Sequence, residues 1–490
     1  MACDSATCGS SSCGSQEACC APQKKPTGSQ LVFCVKCKEG VVARVVANQS
    51  EPMCLGCLHA SLLSKFKTAI NNHSLVTPSD NVLLAFSGGP ASRVALEFLR
   101  EIRSKAQSDK DASRDHRSGL TVFGLGVVFV NEATVLQVSS ADAQLVEDKI
   151  SSIVCTGSPR LETLHIARLE DVFKNELSQR LRALLESVQD MTGREDLIEY
   201  LRMQVLQQVA KEHGYTKLVL GLCTTRIAAR VLAATAKGQG YSLPADIQYL
   251  DSRWPVPVVL PLRDCVTREL VLHCHVANLD TVFIRNLSTM ADRSSSINNL
   301  AHTFVTSLQE ENASREYTIA RTAAKLMPFS FNYSECPSTY LANRRRKDLL
   351  ATNITPMNNK EMSSSSGSEV LCPVCSSPLD MLDYCNSDTD RVSLEENGRH
   401  IDEEDLEYCG GSDRGIHSFT HQSIAFQTVC CASCRFQILP DVHPKGIQTY
   451  ELLPGSMRER AQKQFKDKYS WMRHQIEDLL IEEDGAESQT

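Results

Sequence analysis

The stretch from Asn81 to Leu99 constrains this chain more than any other. An apolar run, Val82-Leu83-Leu84-Ala85-Phe86, stops at Ser87-Gly88-Gly89-Pro90-Ala91-Ser92 and gives way to helical spacing at Val94, Ala95, Phe98 and Leu99. That order predicts strand, loop, helix. Such a loop suits a phosphate: glycine lacks a Cβ, so backbone N–H groups can approach the anion, and the helix start adds a favourable dipole. The same spacing also fits an ordinary Gly-Gly turn, so the rest of the chain has to decide.

Further apolar runs follow at Thr121 to Val130, Ser152 to Cys155 and Lys217 to Cys223. Between them lie helical patterns at Ala141 to Ile150, Leu169 to Val188 and Leu197 to His213, the last ended by Gly214. The alternation predicts an α/β fold, a doubly wound parallel sheet over about residues 75–280, with Cys155 in its core. Ligands of such sheets bind at the carboxyl ends of the strands, where Ser87 to Ser92 and Gly221 to Arg226 would converge. Ser104 to Gly119 is charged and aperiodic and is expected to be a surface insertion.

Cysteine usage sets the second constraint. The start Met1-Ala2-Cys3 has neither a basic nor an apolar leader character, and no run of about 18 apolar residues suggests a membrane span. The expectation is an intracellular chain whose 21 cysteines stay reduced and serve metal clusters or cores. Residues 1–30, with Cys3, Cys8, Cys13, Cys19 and Cys20 among small polar residues, read as a disordered arm or a metal-capturing tail. Cys34, Cys37, Cys54 and Cys57 form two Cys-x-x-Cys pairs across residues 31–60, the spacing of a four-thiolate Zn²⁺ knuckle, with His59 expected outside the ligand set. Lys36, Lys38 and Arg44 make that knuckle basic, which suits RNA phosphate or a solvated face. A second module over 371–440 offers Cys372, Cys375, Cys431 and Cys434 as preferred ligands, with Cys385, Cys409, Cys430 and His421 competing.

Helical patterns also appear at His59 to Asn72, Thr267 to His275, Arg315 to Leu326 and Met457 to Ile481. Residues 281–350 read as a helical extension, holding the densest basic cluster, Arg344-Arg345-Arg346-Lys347. That cluster is either a solvated helix face or a contact for an RNA backbone. Residues 351–370 read as a flexible linker, Glu395 to Glu407 as an acidic insert and 441–490 as a charged helix with an acidic tail. The net charge of −8 excludes a globally polycationic binder, so any nucleic-acid contact must be local or shared.

Ser87-Gly88-Gly89-x-x-Ser92 resembles the pyrophosphate loop of adenylating ATPases that activate a carbonyl oxygen with AMP. Together with the upstream Cys₄ knuckle and a glycine-ended strand before a helix, it resembles the cytosolic tRNA 2-thiolation proteins over residues 31–440. The resemblance implies a sheet of the pyrophosphate-loop ATPase type with N- and C-terminal zinc-knuckle modules. It also implies 2-thiolation of the wobble uridine (U34) of cytosolic tRNA-Lys, tRNA-Glu and tRNA-Gln, with sulfur delivered by a ubiquitin-like carrier. Three departures matter. Pro90 and Ala91 stand where the family carries a lysine and an aspartate, which removes a mobile charge and a Mg²⁺ ligand. Arg194 and Leu197 stand near the place of a Cys-x-x-Cys pair, and Gly221-Leu222-Cys223-Thr224-Thr225-Arg226 carries no acid. These argue against ATP or AMP use and leave Ser87, Gly88, Gly89 and Ser92 as a degenerate phosphate cradle. The implied role is a non-catalytic cytoplasmic subunit in a heterodimer with the catalytic ATPase, contacting tRNA and no membrane. The alternatives are an adenylating tRNA sulfurtransferase in its own right, with Cys223, Cys265, Cys274 or His273 as reactive groups, and a zinc-ribbon scaffold unrelated to tRNA.

Overall fold

The computed structural model describes residues 32–41, 45–47, 51–112, 122–156, 162–173, 177–285, 287, 295–312, 314–333, 370–380, 426, 428–439 and 449–477. Two small antiparallel pairs come first: β1 (Val32–Phe33) with β2 (Gly40–Val41), and β3 (Val45–Ala47) with β4 (Glu51–Met53). Helix α1 (Leu55–His73) buries Leu58, Leu62, Leu63, Phe66 and Ile70, a helical stripe that turns one face to the core.

Next come β5 (Asn81–Ala85), α2 (Pro90–Ala112), β6 (Gly124–Asn131), α3 (Ala133–Leu136), α4 (Ser140–Cys155) and β7 (Thr163–Arg168). After them the chain forms α5 (Leu177–Ser187), α6 (Met191–Glu212), β8 (Lys217–Leu220), α7 (Thr224–Ala236) and α8 (Leu243–Asp246). Strands β9 (Leu250–Asp251) and β10 (Val258–Val259) and helix α9 (Thr267–Val276) complete the α/β unit. The six-stranded sheet runs β7-β6-β5-β8-β10-β9, parallel throughout except for β9 against β10. From β5 the chain winds outward first through β6 and β7, then through β8 and β10, so the order reverses between β5 and β8. The loop 87–92 therefore leaves the carboxyl end of a strand at the switch point, the usual ligand crevice of this architecture.

Burial explains the central strand. Val82, Leu83 and Leu84 are all fully buried because helices cover both faces, which a continuous apolar run satisfies and an alternating one would not. Phe98 of α2 packs edge-to-face on Phe66 of α1 with ring centroids 5.4 Å apart, joining the helix after the knuckle to the helix after the loop.

Four readings of the sequence are corrected. Ser152 to Cys155 is not a strand: α4 continues through it, because Ile150, Ile153 and Val154 bury at helical spacing. The third parallel strand is β7, an edge strand whose Thr163, Ile166 and Arg168 are exposed, so it lacks the continuous apolar run of a covered strand. Cys155 is accordingly exposed at a helix end and not core. Leu169 to Val188 is not one helix but a 3-10 turn at Leu169–Val172 followed by α5, and α2 extends to Ala112 into the expected insertion. The residues 1–30, Arg44, Arg344 to Lys347, 353–368, Glu395 to Glu407, Cys385, Cys409 and His421 lie outside the described residues.

Beyond the sheet, α10 (Ile297–Glu311) and α11 (Arg315–Ala323) pack on α7. At that junction Glu316 is 2% exposed and accepts hydrogen bonds from Thr225 Oγ1 and Gln309 Nε2. Burial pushes its carboxyl up, against the opposing pull of those two donors. The neutral form is thus the one the fold favours. Its contribution to stability is present below the ordinary glutamate pKa and is lost as pH rises through the raised folded value. Glu316→Gln is expected to flatten that alkaline loss and to raise stability at pH 8. Urea unfolding between pH 4.5 and 8 checks this, and a variant less stable than the parent at pH 8 overturns it.

Candidate metal centres and a degenerate phosphate loop

The two cysteine clusters repeat one local construction. In the first, Lys38 N donates to the Cys34 carbonyl at 2.8 Å and Cys34 N to Glu39 O at 2.9 Å, with Lys38 at φ 60°. In the second, Ser376 N donates to Cys372 O at 2.8 Å and Cys372 N to Ser377 O at 2.8 Å, with Ser376 at φ 58°. The remaining two cysteines of each set open a helix. Cys54 caps α1 and accepts from Cys57 N, and Cys431 caps α12 (Ala432–Gln437) and accepts from Cys434 N. A thiolate at a helix start is favoured by the dipole and by that N–H.

The four sulfurs of each set lie within 4.8 Å of one another: Cys34, Cys37, Cys54 and Cys57, and Cys372, Cys375, Cys431 and Cys434. Four thiolates placed about 2.3 Å from one Zn²⁺ in a tetrahedron stand about 3.8 Å apart. The Cys37 and Cys54 sulfurs are 3.8 Å apart and those of Cys375 and Cys431 are 3.6 Å apart. The donor sets therefore fit a single tetrahedral ion, whereas the cysteines around a four-iron cube need wider spacing. His59 is turned away: its Nδ1 is 3.0 Å from His273 Nε2 and its Nε2 is 2.9 Å from Glu101 Oε2. Lys36 and Lys38 are exposed. Cys430 is buried against Cys372 as a fifth sulfur outside the four. Burial disfavours a Cys372 thiolate, yet the surrounding thiols hydrogen-bond to it strongly enough to hold it well below its ordinary range.

The loop after β5 is tightly shaped and carries no charged side chain. Gly88 sits at φ +76°, where a side chain would be strained, and a Cβ there would lie 3.0 Å from that of Val282. Its carbonyl accepts from Val282 N at 2.9 Å. Ser87 is exposed, while Ser92 is buried and donates to Gly89 O at 3.0 Å, its oxygen 3.3 Å from Ser87 Oγ. Gly221 lies against Ser92 N, so the ends of β5 and β8 converge. Pro90 is the first residue of α2, where its fixed φ suits a helix start, but it brings no N–H for an anion. Arg93 in the first turn of α2 spends its Nη1 on Glu97 at 3.0 Å.

None of the thiols suggested for catalysis is poised to react. Cys223 is buried, its sulfur 3.1 Å from Thr267 Oγ1. Burial pushes Cys265 up to about 12 and Cys274 up to about 11. His273 is 1% exposed, and burial and His59 pull it below the usual histidine range. Leu197 is packed in one core with Cys372, Cys375 and Cys434, and Arg194 donates to Val188 O. Two polar devices carried no sequence signal. Lys237 pairs with Asp196 at 2.8 Å in the interior beside Asn298, and buried Arg253 joins Asp246, Asp251 and the Ser376 carbonyl. Isolated charges in periodic segments do not announce partners that lie far along the chain.

Iodoacetamide at pH 8 followed by peptide mapping is expected to label Cys155 while Cys265 and Cys274 stay unmodified. Labelling of Cys265 or Cys274 in folded protein at a rate matching Cys155 would contradict this burial.

No family model matches the chain. It is 41% identical over 455 residues to cytoplasmic tRNA 2-thiolation protein 2 of Oryza sativa subsp. japonica, covering 92% of this chain and 89% of that protein. It is 38% identical over 504 residues to the protein of the same name from Arabidopsis thaliana, covering 99% of each. Among solved structures, the U34-tRNA thiolase NcsA from Methanococcus maripaludis, determined with its 4Fe-4S cluster, matches with a TM-score of 0.45 at 14% identity, covering 63% of this chain and 93% of that one.

Proposed function

Because the chain belongs to the cytoplasmic tRNA 2-thiolation protein 2 family, we propose that it is a non-catalytic subunit of the machinery that 2-thiolates wobble U34. In this reading it works in the cytoplasm, binds the catalytic ATPase subunit as a heterodimer and helps hold cytosolic tRNA-Lys, tRNA-Glu and tRNA-Gln. Sulfur reaches that partner on a ubiquitin-like carrier.

The observation that supports this most is the loop itself. Activating a carbonyl oxygen with ATP requires charge stabilisation around the phosphates. Here Pro90 and Ala91 supply none, and Arg93 is engaged by Glu97. Ser87 and the Gly89 backbone offer neutral donors that can hold a phosphate in place without turning it over. The two cysteine sets hold Zn²⁺, which in each set joins a turn to the start of a helix.

Two experiments test the reading. In cells lacking this protein, 2-thiouridine in tRNA is expected to disappear. Re-expression of a Ser87→Ala, Ser92→Ala, Cys223→Ala variant should restore it. Loss of thiolation by that variant with folding and partner capture intact would favour a sulfurtransferase active in its own right. Metal analysis should find two zinc per chain and no iron chromophore, with Cys34→Ala, Cys54→Ala removing about one equivalent. A visible iron–sulfur absorption band would overturn the zinc assignment.

A further inference from the structure

The second cysteine cluster differs from the first in what surrounds it. Its two halves come from segments 56 residues apart at Cys375 and Cys431, and the interior they share is not their own. Cys372, Cys375 and Cys434 are buried in one apolar core with Leu197, Leu201 and Val205 of α6 and with Met457 of α13 (Gly455–Glu477). Among the described residues, the only regular structure within 370–380 is the bridge between Leu371 and Pro378. Three backbone hydrogen bonds close this turn, Cys372 N to Ser377 O, Ser376 N to Cys372 O and Leu379 N to Val370 O. Among the described residues no backbone-to-backbone bond joins it to Cys431 or Cys434, so the sulfurs are what tie the two halves together.

Arg180 of α5 donates to the Glu451 and Leu452 carbonyls and Ser456 Oγ to Gln204 of α6, which holds the start of α13 whatever the knuckle does, but three further polar contacts read the shape of the knuckle. Arg460 Nη2 of α13 donates to Pro373 O at 2.7 Å and Gln464 Nε2 to Leu371 O at 2.6 Å. From the α/β unit, Arg253 Nη1 donates to Ser376 O at 3.2 Å. Each acceptor is a backbone carbonyl within four residues of Cys372 or Cys375, so its direction depends on the turn that the cluster closes. On the opposite side, a Cβ at Gly193 of α6 would overlap the carbonyl oxygen of Gln437 at the end of α12, so contact there is backbone to backbone.

We propose that the second cysteine cluster is a metal-dependent clasp. With one tetrahedral cation bound, the knuckle carbonyls are aimed at Arg253, Arg460 and Gln464, and α12 and α13 cover the apolar face of α6. With the cation removed, the two halves of the cluster are no longer joined, the carbonyls lose their fixed directions, and the module releases α6 while the sheet stays folded. Metal occupancy thereby sets whether the face carrying Leu197 and Leu201 is covered.

Hydrogen exchange on the full-length protein tests this, with zinc measured in parallel. Cys372→Ser, Cys431→Ser is expected to lose about one metal equivalent and to speed exchange of amides in 197–206 and 457–470 about tenfold or more. Amides of β5 and β6 should be unchanged. Retained protection of α6 and α13 in that variant overturns the clasp, and so does an equal loss of protection in β5 and β6. Gly193→Ala gives an independent arm. Alanine is the better helix former, so α6 itself gains, and its Cβ should open the Gln437 contact and speed exchange in 434–439, while α13 stays protected at full metal content. Release of α13 in Gly193→Ala at full metal content also overturns the proposal, because the cation would then not be what holds the module.

Discussion

Complete burial of β5 is the constraint on which the rest of this structure depends. Its backbone is paired on both edges by β6 and β8, and Val82, Leu83 and Leu84 are closed off by helices on both faces. A strand so placed can exit only at its carboxyl end, at the point where the winding of the sheet reverses. The loop 87–92, the start of α2 and the end of β8 meet there because no other route keeps the peptide groups satisfied and the apolar run dry.

A compact loop without charged side chains at that point has a simple physical basis. The shape rests on packing: Gly88 against Val282, Gly221 against Ser92, Phe98 against Phe66. The chemistry would rest on a few charged side chains in the loop, and these can change without disturbing the packing. Pro90 even improves the helix start while it deletes a donor. The charged group in the first turn of α2 faces a neighbour on its own helix, Arg93 with Glu97. The cysteines show a similar separation, since Cys223, Cys265 and Cys274 are buried in the α/β unit whereas the ones that converge do so at the two knuckles.

Much of this was legible in the order of residues. Continuous apolar runs named β5, β6 and β8, and Cys-x-x-Cys spacing named the eight cysteines whose sulfurs come together. What escaped was half-buried structure. β7 pairs along one edge only and leaves Thr163, Ile166 and Arg168 in solvent, so its composition does not separate it from a loop. Ser152 to Cys155 shows the reverse error: a short β-branched run looks extended until the Ile150–Ile153–Val154 spacing is placed on α4.

The sequence by itself determined the kinds of contact available here: a covered parallel strand, a glycine loop before a helix, and two sets of four thiols. These depend on local spacing and on the chemistry of a few side chains. Only the tertiary structure decided where the second set would sit. Cys372 to Cys375 and Cys431 to Cys434 carry no information about α6, yet Leu197, Leu201 and Gly193 form the surface on which they are buried. An apolar helix face must be covered by something, and the segment that covers it is chosen by shape and by backbone carbonyls within reach of Arg253 and Arg460, neither of which is written in spacing along the chain.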